Sequence, residues 1–547
     1  LSNNGSSYSV RVSNSVGNVV SYNAMLSVGP AIGLAVCDDS TGYPDSVGTG
    51  SEDDPYVICN VKQLNQLSRV QSNGKYWPNT PFVQRRNSPC INTSNIESGD
   101  IVNELCHFKL VRDLDLKGGV GRENFIGAIY LRGHFDGNGH RLFNLRTGAP
   151  PFAEVGANSS IKNLGVAWRE GSFAERPSNV LTFSNSTNYD LMGGFAASNR
   201  GTIVNSYVEG AVKYRDMRPN PILGGLVGEN YGRILNSFAK LDEVAFSGYY
   251  LNMGGATIGG LVGRNRSGGA IKDSFVLIRS VALESDGIIG GLVGDNESNA
   301  TIEHCSSLSS VEVTSQNQGS AKIGGLVGNN LGAIARSYSL GSTFFVATFD
   351  TNNPAIGGLV GDSSTGSVSN SYSRSAVTAI LTGQYNLVTM GGLIGQLRTG
   401  YVSKVYAAGE VRYSAGQVLV DWIETPELRE ESVVPSVETL ERCDIEGNCW
   451  SDEVAGASVI EVNVTAASGP DLRGIAAGGL IGYQTTAIYD AYWDKSLVDA
   501  SAGRMENVTS ANKVTGLTTA DMMKTTKFPG LSPSIWEFVN GEYPVLK

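Results

Sequence analysis

The sequence predicts an all-β fold, a parallel β-solenoid (β-helix) of about eight ~33-residue repeats, with short capping helices and an N-terminal β-hairpin. Three observations carry this. Gly-Gly pairs recur at Gly193, Gly224, Gly259, Gly290, Gly324, Gly357, Gly391 and Gly478, at intervals of 31, 35, 31, 34, 33, 34 and 87 residues. Behind each pair the residues fall into columns of like chemistry. The segments between Gly, Asn and Ser turns are short and rich in residues that favour strands, as in IGGLVG and IARSYS.

The first column is aliphatic: Ile203, Ile234, Ile271, Ile302, Ile334, Val368, Val402 and Ile488. Two residues on, a polar column runs Asn205, Asn236, Asp273, His304, Arg336, Asn370, Lys404 and Asp490. A small column follows, Ser206, Ser237, Ser274, Cys305, Ser337, Ser371, Val405 and Ala491, then an aromatic one interrupted only by Ser306. Columns of this kind are what stacked coils require, because each coil buries its side chains against the equivalent positions above and below. A Gly-Gly pair at each coil then marks a sharp corner or a close approach between neighbouring coils. Eight coils at ~4.8 Å give a rod body of roughly 40 Å.

The elements follow in order. Residues 1–29 alternate apolar and polar residues around Val16-Gly17-Asn18, which predicts a hairpin. Residues 30–54 form an acidic, Gly-rich linker, and residues 55–190 the start of the solenoid with its N-terminal cap. Within that cap Asn60 and Gln63 have helix N-cap and N3 chemistry, and Val61, Leu64 and Leu67 make one apolar stripe. Repeats occupy 191–410, an acidic insertion 411–470, and the last repeat with a C-terminal cap 471–547. In that cap Thr518 and Asp521 mark a second helix start.

Tyr8-Ser9-Val10-Arg11-Val12-Ser13-Asn14-Ser15-Val16-Gly17 resembles the last strands of an immunoglobulin-like domain, with Val10 where that pattern has Cys. The resemblance implies a longer precursor upstream of Leu1. The competing reading is a hairpin that simply caps the next domain. The units GGLVGENYGRILNSF, GGLVGRNRSGGAIKDSF and GGLVGDSSTGSVSNSY resemble the GLUG repeat of bacterial surface adhesins and of the repeat region of immunoglobulin A-specific metallopeptidases. GTGSEDDPYVICNVKQLNQL and IWEFVNGEYPVLK resemble the opening and terminal segments of such domains. The family names an architecture and leaves function open.

Composition narrows the function. A formal net charge of −11 argues against nucleic acid or an anionic membrane as partner. No run approaches the ~18 apolar residues of a spanning helix. Four His and no H-E-x-x-H motif argue against a zinc peptidase, and His134 and His140 around Asp136 read as strand and turn. The mixed polar column builds no carboxylate ladder, so catalysis is not expected. The expectation is a non-catalytic extracellular protein of a bacterial surface, adhesive or structural, bound to a cell-surface protein, a glycan or copies of itself. A filament subunit and the non-catalytic arm of a larger surface peptidase are the alternatives.

Seven cysteines suit an oxidising setting. Cys305 stands in the small column and is expected buried and unpaired. Cys37, Cys59, Cys90, Cys106, Cys443 and Cys449 allow 15 connectivities, among which sequence does not choose. Neighbourhood favours Cys443 with Cys449, Cys90 with Cys106, and Cys37 with Cys59. No cofactor is expected, although Asp38, Asp39, Asp53 and Asp54 lie in an oxygen-rich loop that suits calcium, against a plain solvated linker. From Asp421 to Glu453, eleven acids against Arg429 and Arg442 give a balance of −9. Glu430, Glu431, Trp422 and Trp450 in this insertion are the candidate partner-binding residues. Sequons such as those beginning at Asn92, Asn158 and Asn463 permit glycosylation and also arise by chance in a chain rich in Ser and Thr.

Overall fold

In the computed structural model the described residues are 48–67, 106–116, 129–145, 150–168, 191–215, 220–246, 255–283, 286–315, 320–347, 353–381, 387–415, 475–484, 486, 488–497 and 514–547. Short strands at 7–8, 11–13, 18–20, 24–25, 173–175, 438–443 and 449–454 are described by their backbone. The fold is a parallel β-solenoid. One coil shows the plan: Lys322–Gly324, Val327–Asn330, Ala333–Ala335 and Tyr338–Ala347 follow one another around the section. Equivalent strands of successive coils pair in parallel. They build an eight-stranded sheet from Leu191–Gly193 to Ile475–Gly478 and a ten-stranded sheet from Ile129–Leu131 to Ile481–Gln484. A third sheet carries the remaining strands of each coil.

The columns read from sequence are columns in register. Ile203 pairs with Ile234, and the series runs coil by coil to Val402 against Ile488. It also extends upstream of the first Gly-Gly pair. Tyr56, Phe108, Phe135 and Ile161 stack in turn beneath Ile203. These positions face a continuous apolar interior that reaches Ile488. Their inward row, repeated at the spacing of parallel strands, removes apolar surface from water at every coil.

Two strand expectations need correction. IGGLVG is not one strand, because pairing stops at Gly324 and resumes at Val327. The reason is steric: a Cβ at Gly325 would come closer than 3.0 Å to the Gly358 carbonyl oxygen of the next coil, so the chain turns where it has no side chain. IARSYS is likewise two strands, broken at Arg336. The whole polar column occupies the left-handed region, from Asn205 at φ 48° to Asp490 at φ 49°. Asn and Asp tolerate that conformation better than other side chains, which explains their share of the column.

The two short helices start where their residues suggest. The helix Val61–Leu67 starts on Asn60, whose Oδ1 accepts from the Gln63 N–H at 2.8 Å, while Gln63 Oε1 accepts from the Cys59 N–H at 2.7 Å. Thr518 caps the helix Thr519–Met522, its Oγ1 accepting from the Asp521 N–H at 3.2 Å. The C-terminal segment then lies along the solenoid: Met522, Phe528, Leu531 and Trp536 bury Tyr372, Tyr406 and Tyr492 of the aromatic column in a second cluster. Near the N-terminus, Arg11–Ser13 pairs antiparallel with Asn18–Val20, as expected of a hairpin.

Candidate functional site

What repeats along the solenoid is a set of polar ladders, each closing a backbone or side-chain need at one corner. The first was not read from sequence. Asn199, Asn230, Asn265, Asn296 and Asn330 are fully buried, and each Nδ2 donates to the next Oδ1 at 2.8 or 2.9 Å as far as Asn330. The signal was present, since each Asn stands six residues after the first glycine of its pair. Uninterrupted amide ladders satisfy both halves of every carboxamide inside a low-dielectric body.

The small column is a second ladder. Ser237 Oγ accepts from the Ser206 N–H at 3.2 Å and donates to the Leu235 carbonyl at 2.8 Å. Ser274, Ser337 and Ser371 repeat the arrangement. Each hydroxyl therefore serves the backbone at a corner where strand pairing lapses. Cys305 fills one rung, buried and free, its Sγ 3.2 Å from the Glu303 carbonyl. Burial pushes this thiol up to about 12.

Two further rows lie nearer the surface. In the polar column Asn236 Nδ2 donates to Asn205 Oδ1 at 2.7 Å, His304 Nδ1 lies 3.2 Å from Asp273 Oδ1, and Arg336 Nη1 lies 3.3 Å from His304 Nε2. On the ten-stranded face Arg266 pairs with Glu229 and, at 2.7 Å, with Glu297. Burial works against the Arg266 charge, and Glu229, Tyr231 and Glu297 together outweigh it, so the guanidinium is held above its ordinary value. Arg264 pairs with Asp295 at 3.3 Å, and Lys322 with the buried Asp362 at 2.8 Å. The Arg200 guanidinium lies 4.3 Å from the Tyr231 ring centre.

The aromatic column is stacked as sequence expected. Tyr207, Phe238 and Phe275 have neighbouring ring centres 5.0 Å apart, and Tyr338, Tyr372 and Tyr406 4.8 Å apart. Its later rungs are covered by the cap, where Tyr406 Oη donates to the Pro544 carbonyl at 2.6 Å and Tyr492 Oη accepts from the Gly530 N–H at 3.1 Å. Among the described residues the large hydrophobic side chains left exposed are Tyr401 and Tyr489, at 54% and 42%. Their ring centres lie 5.9 Å apart.

The residues singled out from sequence fall in different places. Asp54 closes a turn, its Oδ2 accepting from the Thr49 N–H at 2.9 Å, and Asp53 is exposed beside it. Cys59 and Cys106 are buried. Cys443 and Cys449 are opposite one another in an antiparallel pair of strands, with Trp450 opposite Arg442. Cys37, Asp38, Asp39, Cys90, Trp422, Glu430 and Glu431 lie outside the described residues. His134 and His140 sit on a strand and its turn: His134 Nδ1 is 2.8 Å from Ser160 Oγ, and His140 Nδ1 3.2 Å from Asp113 Oδ1. Among the described residues no three His, Cys, Asp or Glu side chains are grouped to hold a metal. No helix among them is long and apolar enough to cross a membrane.

Fold and ladders define the class: a β-solenoid whose repeated polar groups bind one another from coil to coil. No protein-family model matches the chain, and no curated protein matches it. One solved structure that it resembles is the crystal structure of a candidate immunoglobulin A1 protease from Bacteroides ovatus. That likeness has 14% identity and a TM-score of 0.33, and covers 91% of this chain and 94% of the other. At that overlap neither activity nor ligand transfers from one chain to the other.

Proposed function

We propose that this chain is a GLUG-type, non-catalytic module of a bacterial extracellular surface protein, serving as a stiff adhesive or structural body preceded by the end of an immunoglobulin-like domain. The observation that carries the reading is the closure of the ladders. Asn, Ser and corner side chains engage their equivalents in adjacent coils, so the repeated polar groups hold a rod together. Seven cysteines in the sequence favour an oxidising compartment. The partner class is a cell-surface protein or glycan, with no cofactor required.

Beads coated with the full chain test this directly. Attachment to mucin-coated and cell-coated surfaces above that of blank beads is the expected result. Attachment equal to the blank would remove the adhesive reading. Native mass spectrometry separates it from the filament alternative, in which a ladder of multiples of the chain mass appears. A second alternative is the non-catalytic arm of a larger surface peptidase, favoured by the motif resemblance of the repeats. An H-E-x-x-H motif elsewhere in the precursor would support it.

A further inference from the structure

We infer that Tyr401 and Tyr489 form a stacking platform for a neutral pyranose glycan. The inference rests on the adhesive reading above and names its ligand class. The two residues stand on neighbouring strands, Tyr401–Ala407 and Ile488–Asp494, held in parallel register by Val402 against Ile488 and Ser403 against Tyr489. Both strands belong to the stacked core, so the rings are fixed to a rigid floor: Val402 and Ile488, each next to one of these tyrosines, are buried.

These positions depart from the repeat. The coils before Tyr401 place Thr301, Ala333 and Ser367 in its column, and those before Tyr489 place Ala335, Ser369 and Ser403. The three preceding rungs of each column carry no ring, and Tyr401 and Tyr489 are exposed rather than covered by the C-terminal segment that buries Tyr372, Tyr406 and Tyr492. A lone exposed aromatic residue is ordinary, whereas two adjacent rings present a shared apolar face with a hydroxyl on each.

The surroundings select the occupant. Ser367, partly exposed, lies in register beside Tyr401 and brings a hydroxyl near the ring pair, while Ser403 beside Tyr489 is buried. Lys404 and Asp490 follow Ser403 and Tyr489 at their left-handed corners, one charge of each sign. Lys404 offers donors and Asp490 acceptors, opposite charges that together favour neither a cation nor an anion. The chemistry left is a neutral molecule with an apolar C–H face bordered by hydroxyls, which is a sugar ring.

Saturation-transfer NMR on the full chain, with neutral methyl glycosides and short oligosaccharides of glucose, galactose, mannose and N-acetylglucosamine, tests this. At least one sugar should bind, with a Kd weakened about tenfold or more in Tyr401→Ala/Tyr489→Ala and little changed in Tyr401→Phe/Tyr489→Phe. Both rings are exposed, so the variants should keep the parent circular dichroism and melting. Absence of binding by every sugar overturns the proposal. So does unchanged affinity in the folded alanine variant, or preference for a Lys/Arg-rich peptide over every sugar. Bead attachment is run on the same variants. Attachment that survives loss of both rings sinks the platform and leaves the adhesive reading standing. Tyrosine-dependent sugar binding by a chain that attaches to no surface sinks the adhesive reading alone.

Discussion

Adding one methyl group at Gly325 should unfold part of the rod. The Cβ of Gly325→Ala would lie closer than 3.0 Å to the Gly358 carbonyl oxygen and 3.1 Å from Ser375 Oγ. The carbonyl cannot retreat easily. It accepts the Ser339 hydroxyl at 2.6 Å, and adjacent backbone bonds from Leu326 and Val327 to the Leu359 carbonyl, both at 2.9 Å, fix the coil spacing. Overpacking in a closed interior costs about 1–3 kcal/mol when neighbours can shift, and here the obstacle is backbone. Gly325→Ala is therefore expected at about 3 kcal/mol or more, and Gly325→Val higher still. Gly268 is the control. Its φ is +85° with nothing within 4 Å of a Cβ, so Gly268→Ala should cost only the left-handed penalty of about 1–2 kcal/mol. Long repeat arrays unfold in parts, so amide hydrogen exchange resolved by coil is the right assay, with urea unfolding beside it. Protection should fall in residues 322–347 and 355–381 and be retained near 134–168. Wild-type protection there in Gly325→Ala would refute the close-approach argument.

Four other outcomes follow from the ladders and the coil connections. Ser337→Ala removes the acceptor of the Cys305 N–H, now at 3.1 Å, and should cost about 1–3 kcal/mol, seen as faster exchange of that amide. Cys305 should resist thiol reagents at pH 8 until denaturant is added, because burial holds it near 12; native labelling would contradict its burial. Burial, then the charge of His107, lowers His134 below its ordinary 6.5, so the folded chain binds fewer protons than the unfolded one in the window beneath that value. Stability of the first coils is thus complete above about pH 6.5 and falls as pH drops. Exchange of residues 107–110 and 134–136 at pH 7.5 and 5.0 should show this, and His134→Gln should remove it. Finally, Val411–Ala415 pairs with Ala376–Leu381 as a solenoid strand rather than opening the insertion, so replacing 416–474 with the seven residues 348–354 should leave a folded solenoid, since Val388–Gly391 already pairs with Ile475–Gly478 across the insertion. If Trp422, Trp450, Glu430 and Glu431 carry the partner surface, attachment falls on this deletion, most at low salt. Collapse of the fold would show that the insertion is part of the core.

The repeating body was legible because its constraints are local and recur. Ile203 through Ile488 could be aligned from spacing alone, and strand register follows that alignment. The two corners were harder. IGGLVG has the composition of a strand, yet the contact that breaks it involves Gly358, 33 residues away in the next coil. Arg336, His304 and Lys404 do not announce a left-handed corner, and only their alignment with Asn205, Asn236 and Asn370 places them there. The Asn199–Asn330 ladder was overlooked because polar residues after a strand ordinarily read as a solvated turn. Upstream coils were expected within 55–190, but the place of Phe135 and Ile161 in the aliphatic column was not legible, because no Gly-Gly pair anchors them.

The same logic says where binding chemistry should be sought. A residue that repeats in every coil answers to stacking, and its polar atoms have partners one coil away, as Ser206 has in Ser237 and Asn230 in Asn265. A side chain that breaks its column is released from that demand. Ser306 breaks the aromatic stack but is itself buried, so it interrupts packing without creating a surface. Tyr401 and Tyr489 break their columns in the opposite direction, adding exposed rings where the three coils before them carry Thr, Ala or Ser. Stacking alone does not require them, which is why loss of both rings should alter what the chain binds and leave its melting unchanged.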